Sequence, residues 1–167
     1  TILKAYGCPV KILGDGMMVS FGLWPVTKIG YSAADNALAF ALYAQSELSK
    51  ASVKLVHGRD SLKFRCGIAY GKVNYYAHEG LDILGDTVNL ASRLEAINKV
   101  YDTKILMNDA FYKVLKKKSH IREIDNVRVK GLKLPQGLYA FDEQSYLKEN
   151  NLTEFAGDHR NIRNENY

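Results

Sequence analysis

The stretch LDILGDTVNLASRLEAINKV, residues 81–100, changes its period at Gly85. The residues ahead of the glycine read as a strand. Beyond it, Val88, Ala91, Leu94 and Ile97 recur at the three- and four-residue spacing of a helix buried along one side, and Asp86 is placed to cap that helix. Asn89 and Arg93 stand four apart on it, so they share a face roughly opposite the apolar stripe. A strand running straight into a helix that turns two polar side chains toward one cleft is the unit around which the rest of the chain is read.

Upstream, Leu62, Phe64, Cys66 and Ile68 alternate with Lys63, Arg65, Gly67 and Ala69, the period of a half-buried strand. Gly71 and Lys72 turn the chain back toward a run from Val73 to Ala77. Earlier still, Ser32 offers an N-cap to a helix in which Ala34, Leu38, Ala41 and Leu48 keep helical spacing. From Val10 to Phe21, VKILGDGMMVSF sets two short apolar runs around Gly14-Asp15-Gly16 and predicts a β-hairpin with Asp15 at its tip. Downstream, KILM predicts a short strand and NDAFYKVL a short helix begun by Asn108. IREIDNVRVKGLKLPQGLYAF predicts two strands joined around Gly131 to Gly137. The pattern predicts an α+β sandwich with a largely antiparallel sheet covered by helices. From Asp142 onward the residues are polar and Asn-rich, so 142–167 reads as a tail or linker that packs weakly.

The 167 residues suit one domain with a hydrophobic core. At 47% apolar and 25% charged, the composition is that of a globular protein. It contains no run of about 18 apolar residues that would span a bilayer. No contact with a membrane is expected of this segment, although a parent protein could be anchored elsewhere. No secretory signal is visible. Cys8 and Cys66 are too few for a disulfide framework and lack metal-ligand spacing, so a reduced, cytoplasmic setting is expected. His57, His78, His120 and His159 are too scattered for a zinc site. A net charge of +5 suits a polyanionic ligand without identifying one. The run Lys116 to Lys118 reads as a solvated helix end, and the pair Tyr75-Tyr76 as strand-edge or interface packing rather than base stacking.

Three segments, KILGDGMMVSFG, LDILGDTVNLASRLEA and VKGL, resemble in order and spacing the class III adenylate and guanylate cyclases, over roughly residues 1–141. The resemblance implies the ferredoxin-like class III cyclase fold and a catalytic domain at 1–141. The chain starts in what resembles the end of the family's first helices, so the expected domain lacks its N-terminal strand and those helices. The strand would carry the first metal aspartate. The resemblance makes Asp15 a metal ligand for one of two divalent cations, Mg²⁺ or Mn²⁺. It also makes Lys11 and Asp82 the residues that face the base, Asn89 the residue that orients the ribose and Arg93 the one that stabilises charge at the α-phosphate. Lys130, in VKGL, becomes a contact to the triphosphate. Seen alone, each has an ordinary reading: a turn aspartate, a strand lysine, a loop carboxylate, a solvated helix face, a hairpin lysine.

Adenine presents an acceptor at N1 and a donor at N6, which a lysine and an aspartate complement; guanine reverses that edge. Guanylate cyclases typically place an acid where Lys11 stands. The expected activity is therefore adenylate cyclase, ATP to cyclic AMP and pyrophosphate, at the interface of a homodimer. Alternatives are a catalytically inactive nucleotide-binding or dimerisation module, and a guanylate cyclase. A nucleic-acid-binding domain is disfavoured because the basic residues are dispersed and no RNP-like motif occurs. NYYAHEG after Lys72 departs from the family, whose members are more glycine-rich there.

Overall fold

A computed structural model describes residues 10–23, 32–55, 64–77, 81–127 and 135–150. Four strands form the main sheet in the order β3 (Cys66–Ile68), β6 (Ile105–Asn108), β8 (Gln136–Phe141), β7 (Ile121–Val127). β3 runs parallel to β6, whereas β6 with β8 and β7 with β8 are antiparallel. Two hairpins complete the strands, β1 (Val10–Leu13) with β2 (Gly16–Val19) and β4 (Asn74–Ala77) with β5 (Leu81–Leu84). The helices are α1 (Ala33–Leu55), α2 (Asp86–Tyr101), α3 (Asp109–Val114) and α4 (Glu143–Glu149). This is the α+β architecture expected, a largely antiparallel sheet covered by helices.

β6 is buried along its whole length because both faces of the sheet are covered. Ile105 and Met107 point to the face where Ala34, Ala41 and Leu42 of α1 pack with Phe111, Leu115 and Phe141. Leu106 points the other way, to Leu90 and Leu94 of α2 with Leu138 and Ala140 of β8. An unbroken apolar run in a two-sided strand is the consequence of that layering.

Several local predictions hold. Ser32 Oγ accepts from the Asp35 amide at the start of α1. Asn108 caps α3, accepting from the Phe111 amide at 3.1 Å. Gly14, at φ +64, takes the first central position of the two-residue turn closed by Leu13 and Gly16.

Other details differ. The N-cap of α2 is Gly85, at φ 137, and Asp86 lies in the first turn with no side-chain cap. A backbone bending from strand to helix at that φ selects glycine, and Asp86 instead meets the positive end of the helix dipole. The buried stripe of α2 is Leu90, Leu94 and Asn98, with Ala91 and Ile97 half-buried on its flanks, so it is rotated from the predicted one. β3 pairs only over Cys66–Ile68; Phe64 and Arg65 precede the ladder and Leu62 lies outside the described residues. Gly137 falls inside β8, opposite Asn126, and not in the connection before it.

The segment predicted to pack weakly begins with a helix. Asp142 caps α4 by accepting from the Ser145 amide at 3.0 Å, and Tyr146 and Leu147 pack on the α1 side of the core. His120 sits against it, with Nδ1 3.1 Å from Ser145 Oγ and Nε2 3.3 Å from Glu149. Asn150 ends the helix, and the rest of the expected tail lies outside the described residues. Among the described residues no helix is long and apolar enough to cross a membrane. Cys66 is a free thiol, pushed up to about 12 by burial and by the charge of Glu95, so it stays protonated at neutral pH. Cys8 lies outside the described residues.

Candidate functional site

Lys11 and Asp82 are 71 positions apart, yet Lys11 Nζ donates to Asp82 Oδ1 at 2.8 Å. Lys11 is the second residue of β1 and Asp82 the second of β5, so the bond links the two hairpins. The two side chains are 44% and 45% exposed, open to a ligand from solvent. The Asp82 carboxylate also accepts from the Ile83 amide at 2.9 Å. The Lys11 hydrogen bond first, and the Ile83 amide second, hold the Asp82 carboxyl below the usual carboxylate range.

Asp15 stands exposed at the tip of the β1–β2 hairpin, four residues beyond Lys11. Asn89 and Arg93 are exposed on α2, one turn apart on the flank of the buried stripe. Among the described residues the side chains of Asp15, Asn89 and Arg93 have no hydrogen-bond or ion-pair partner, so each is available to a ligand. The structure thus brings Lys11 and Asp82 together and leaves the other three unengaged. Lys130 lies outside the described residues.

What holds α2 in place went unrecognised in the sequence. A Cβ at Gly67 would fall on the Ala91 carbonyl oxygen and the Glu95 amide nitrogen, so the helix backbone rests directly on β3. Asn98, fully buried, donates to the Cys66 carbonyl at 3.0 Å, while its Oδ1 accepts from Thr103 Oγ1 at 2.8 Å. Arg65 adds an ion pair to Glu95 at 2.7 Å. At the other end, Thr87 Oγ1 donates to the Lys72 carbonyl at 2.6 Å, joining the first turn of α2 to the start of the β4–β5 arm. Asn108 accepts from the Tyr70 amide at 3.1 Å and so ties the strand leading to that arm to β6. A polar amide falling on an apolar stripe, as Asn98 does, is the signal by which it could have been found.

The chemistry of this set is legible in its donor types. A lysine beside an aspartate offers one donor and one acceptor to the edge of a planar heterocycle. An amide and a guanidinium on one helix face suit a hydroxyl and a phosphate. A lone exposed carboxylate suits a hard cation. Among the described residues no three His, Cys, Asp or Glu side chains gather into a metal-holding group, so Asp15 could bind a cation only jointly with other donors.

A family model of the adenylate and guanylate cyclase catalytic domain matches residues 2–143. A protein of Rhizobium meliloti (strain 1021) named adenylate cyclase 1 is 29% identical over 139 residues, 80% of this chain and 20% of that protein. The chain therefore spans about a fifth of the length of that curated relative. The crystal structure of the adenylyl cyclase CyaB from P. aeruginosa superposes with a TM-score of 0.64 at 28% identity, over 83% of this chain and 74% of that one. The catalytic core of a rhodopsin-guanylyl cyclase with converted specificity, in complex with ATPαS, gives a TM-score of 0.64 and 28% identity over 84% and 74%.

Proposed function

Since the chain belongs to the adenylate and guanylate cyclase catalytic domain family, we propose that its reaction is the adenylate one: cyclisation of ATP to cyclic AMP with release of pyrophosphate. The observation that carries the choice of base is the contact of Lys11 with Asp82. Their donor and acceptor match N1 and N6 of adenine, and the same order placed against guanine would set donor to donor and acceptor to acceptor.

The residues divide the remaining work. The Asn89 amide orients the ribose so that its 3′ hydroxyl lies in line with the α-phosphorus. Arg93 presents a guanidinium fork to the α-phosphate oxygens, where negative charge grows as the new P–O bond forms and the bond to pyrophosphate breaks. Lys130 contacts the triphosphate. Class III cyclases use divalent cations, and the exposed, unpartnered carboxylate of Asp15 fits one as a hard oxygen donor. Divalent cations, when bound, supply activation of the attacking oxygen and neutralisation of the departing pyrophosphate.

In this reading Asp15 serves one site while Lys11, Asp82, Asn89 and Arg93 of a second copy serve the same site, so the active species is a homodimer. The hairpins support this, because Ile12, Leu13 and Met17 on one and Leu84 on the other are large apolar residues left exposed.

The test is product formation from ATP and GTP with Mg²⁺ and with Mn²⁺, using this chain and a version extended upstream. Cyclic AMP from ATP, with Arg93→Ala lowering kcat about 10²- to 10³-fold, is the expected result. Lys11→Glu should move preference toward GTP. Cyclic GMP formed from GTP by the unaltered protein would overturn the choice of base, and nucleotide binding without any product would make the domain a binding module. Specific activity that stays constant on dilution to the monomer would remove the homodimer.

A further inference from the structure

Tyr75 and Tyr76 are neighbours in sequence, but the pleat sorts them to opposite faces. The β4–β5 register pairs Tyr75 with Ile83 and Tyr76 with Asp82. Ile83 is buried, so its face is the one turned toward the body of the molecule, while Tyr75 on that face is itself 53% exposed. Directly opposed residues of an antiparallel pair carry their Cβ atoms about 4.5–5.5 Å apart on one face. Tyr76 therefore shares a face with Asp82, whose carboxylate Lys11 holds.

Tyr76 is 57% exposed. Among the described residues its side chain has no hydrogen bond and no ring contact. A large aromatic left out of the packing, next to a donor–acceptor pair, is a surface with work still to do. Lys11 and Asp82 would engage a purine at its edge, in the plane of the ring, which leaves the π-face bare. A tyrosine ring within one side chain of that edge can cover it.

We propose that Tyr76 is a further base-binding residue, stacking on the purine that Lys11 and Asp82 hold by its edge. The proposal rests on the nucleotide reading above and deepens it. It also divides the labour: every base has a π-face, so stacking adds affinity without choosing among bases, and the choice stays with Lys11 and Asp82. The glycine-poor NYYA run, a departure from the family's usual composition, then has a use.

The experiment is calorimetric titration of the protein with 3′-deoxy-ATP, 3′-deoxy-GTP and inorganic triphosphate in Mg²⁺, for the unaltered chain, Tyr76→Ala and Tyr76→Phe, with sedimentation of each. Stacking predicts that Tyr76→Ala weakens both nucleotides about tenfold, that Tyr76→Phe restores binding, and that triphosphate affinity does not move. If the unaltered chain binds nucleotide and Tyr76→Ala binds it equally well, the stacking role is wrong while the nucleotide site stands. If Tyr76→Ala loses self-association in step with nucleotide, and triphosphate binding falls too, the residue is a subunit contact and the proposal is overturned. If the unaltered chain binds 3′-deoxy-ATP but forms no cyclic AMP from ATP itself, the cyclase reading fails and the Tyr76 comparison is still decided by the titration. No binding of nucleotide at all would overturn both.

Discussion

Asp82 is a carboxylate with two donors on one oxygen, Lys11 Nζ and the Ile83 amide. Its pKa is lowered, with the Lys11 hydrogen bond the largest cause. A carboxyl whose folded-state value is depressed contributes stability above its ordinary value and loses that contribution as pH falls through the lowered one. The pair is exposed, so the contribution is small and screened by salt. Lys11→Met should raise the Asp82 pKa back toward the ordinary range, leaving the lowering by the Ile83 amide opposed by desolvation. Carbon-detected NMR titration of the carboxyl checks this, and an unchanged titration would mean that the bridge is not populated. The types of Lys11 and Asp82 were legible in the sequence, and their partnership was reached through the family resemblance; no local pattern connects residues 71 positions apart. Tyr75 and Tyr76 look alike in the sequence until the register assigns each a face. Asp86 misled for a different reason. Aspartate is a preferred cap, but the chain needed a glycine conformation at the residue before it.

Among the elements, α2 depends on two contacts with β3 that its helical periodicity does not advertise. Gly67→Ala would drive a methyl into backbone atoms of Ala91 and Glu95, which cannot swing aside as a side-chain end can. Overpacking of that kind costs about 1–3 kcal/mol or more, so Gly67→Ala should lower the denaturation midpoint sharply or abolish folding. Gly16→Ala is the control, since its new Cβ would meet only the Leu13 carbonyl oxygen at 3.6 Å. Asn98→Ala would leave the Cys66 carbonyl and the Thr103 hydroxyl without their partner. The expected loss is about 1–3 kcal/mol in urea denaturation. A loss within about 0.5 kcal/mol, the range of ordinary surface substitutions, would show that the amide is not the tie described. The elements themselves were largely readable: the hairpin around Asp15, α1 from Ser32, and α3 from Asn108 follow from caps and turns, which act over four residues. The short β3 ladder and the rotated stripe of α2 were not, because both are set by which strand lies beneath, and α4 was missed because its anchors, Tyr146 and Leu147, are few among polar neighbours.

The molecule as a whole places the residues of its proposed base site on its least supported parts. The four-stranded sheet is covered on both faces. Lys11 and Asp82, the residues proposed to face the base, sit instead on two two-stranded hairpins, a unit that is marginal in isolation. Amide hydrogen exchange should therefore be slowest in β6 and β8 and fast in β1, β2, β4 and β5, with added nucleotide slowing the hairpins while the central strands stay as they were. Equal protection throughout the unliganded protein would contradict this division. The same arrangement sets the order of events on heating. The arms should loosen while the sheet between α1 and α2 still holds, so catalytic output is expected to fade several degrees below the temperature at which far-ultraviolet dichroism reports melting, and to return on cooling. A protein built this way falls silent before it comes apart.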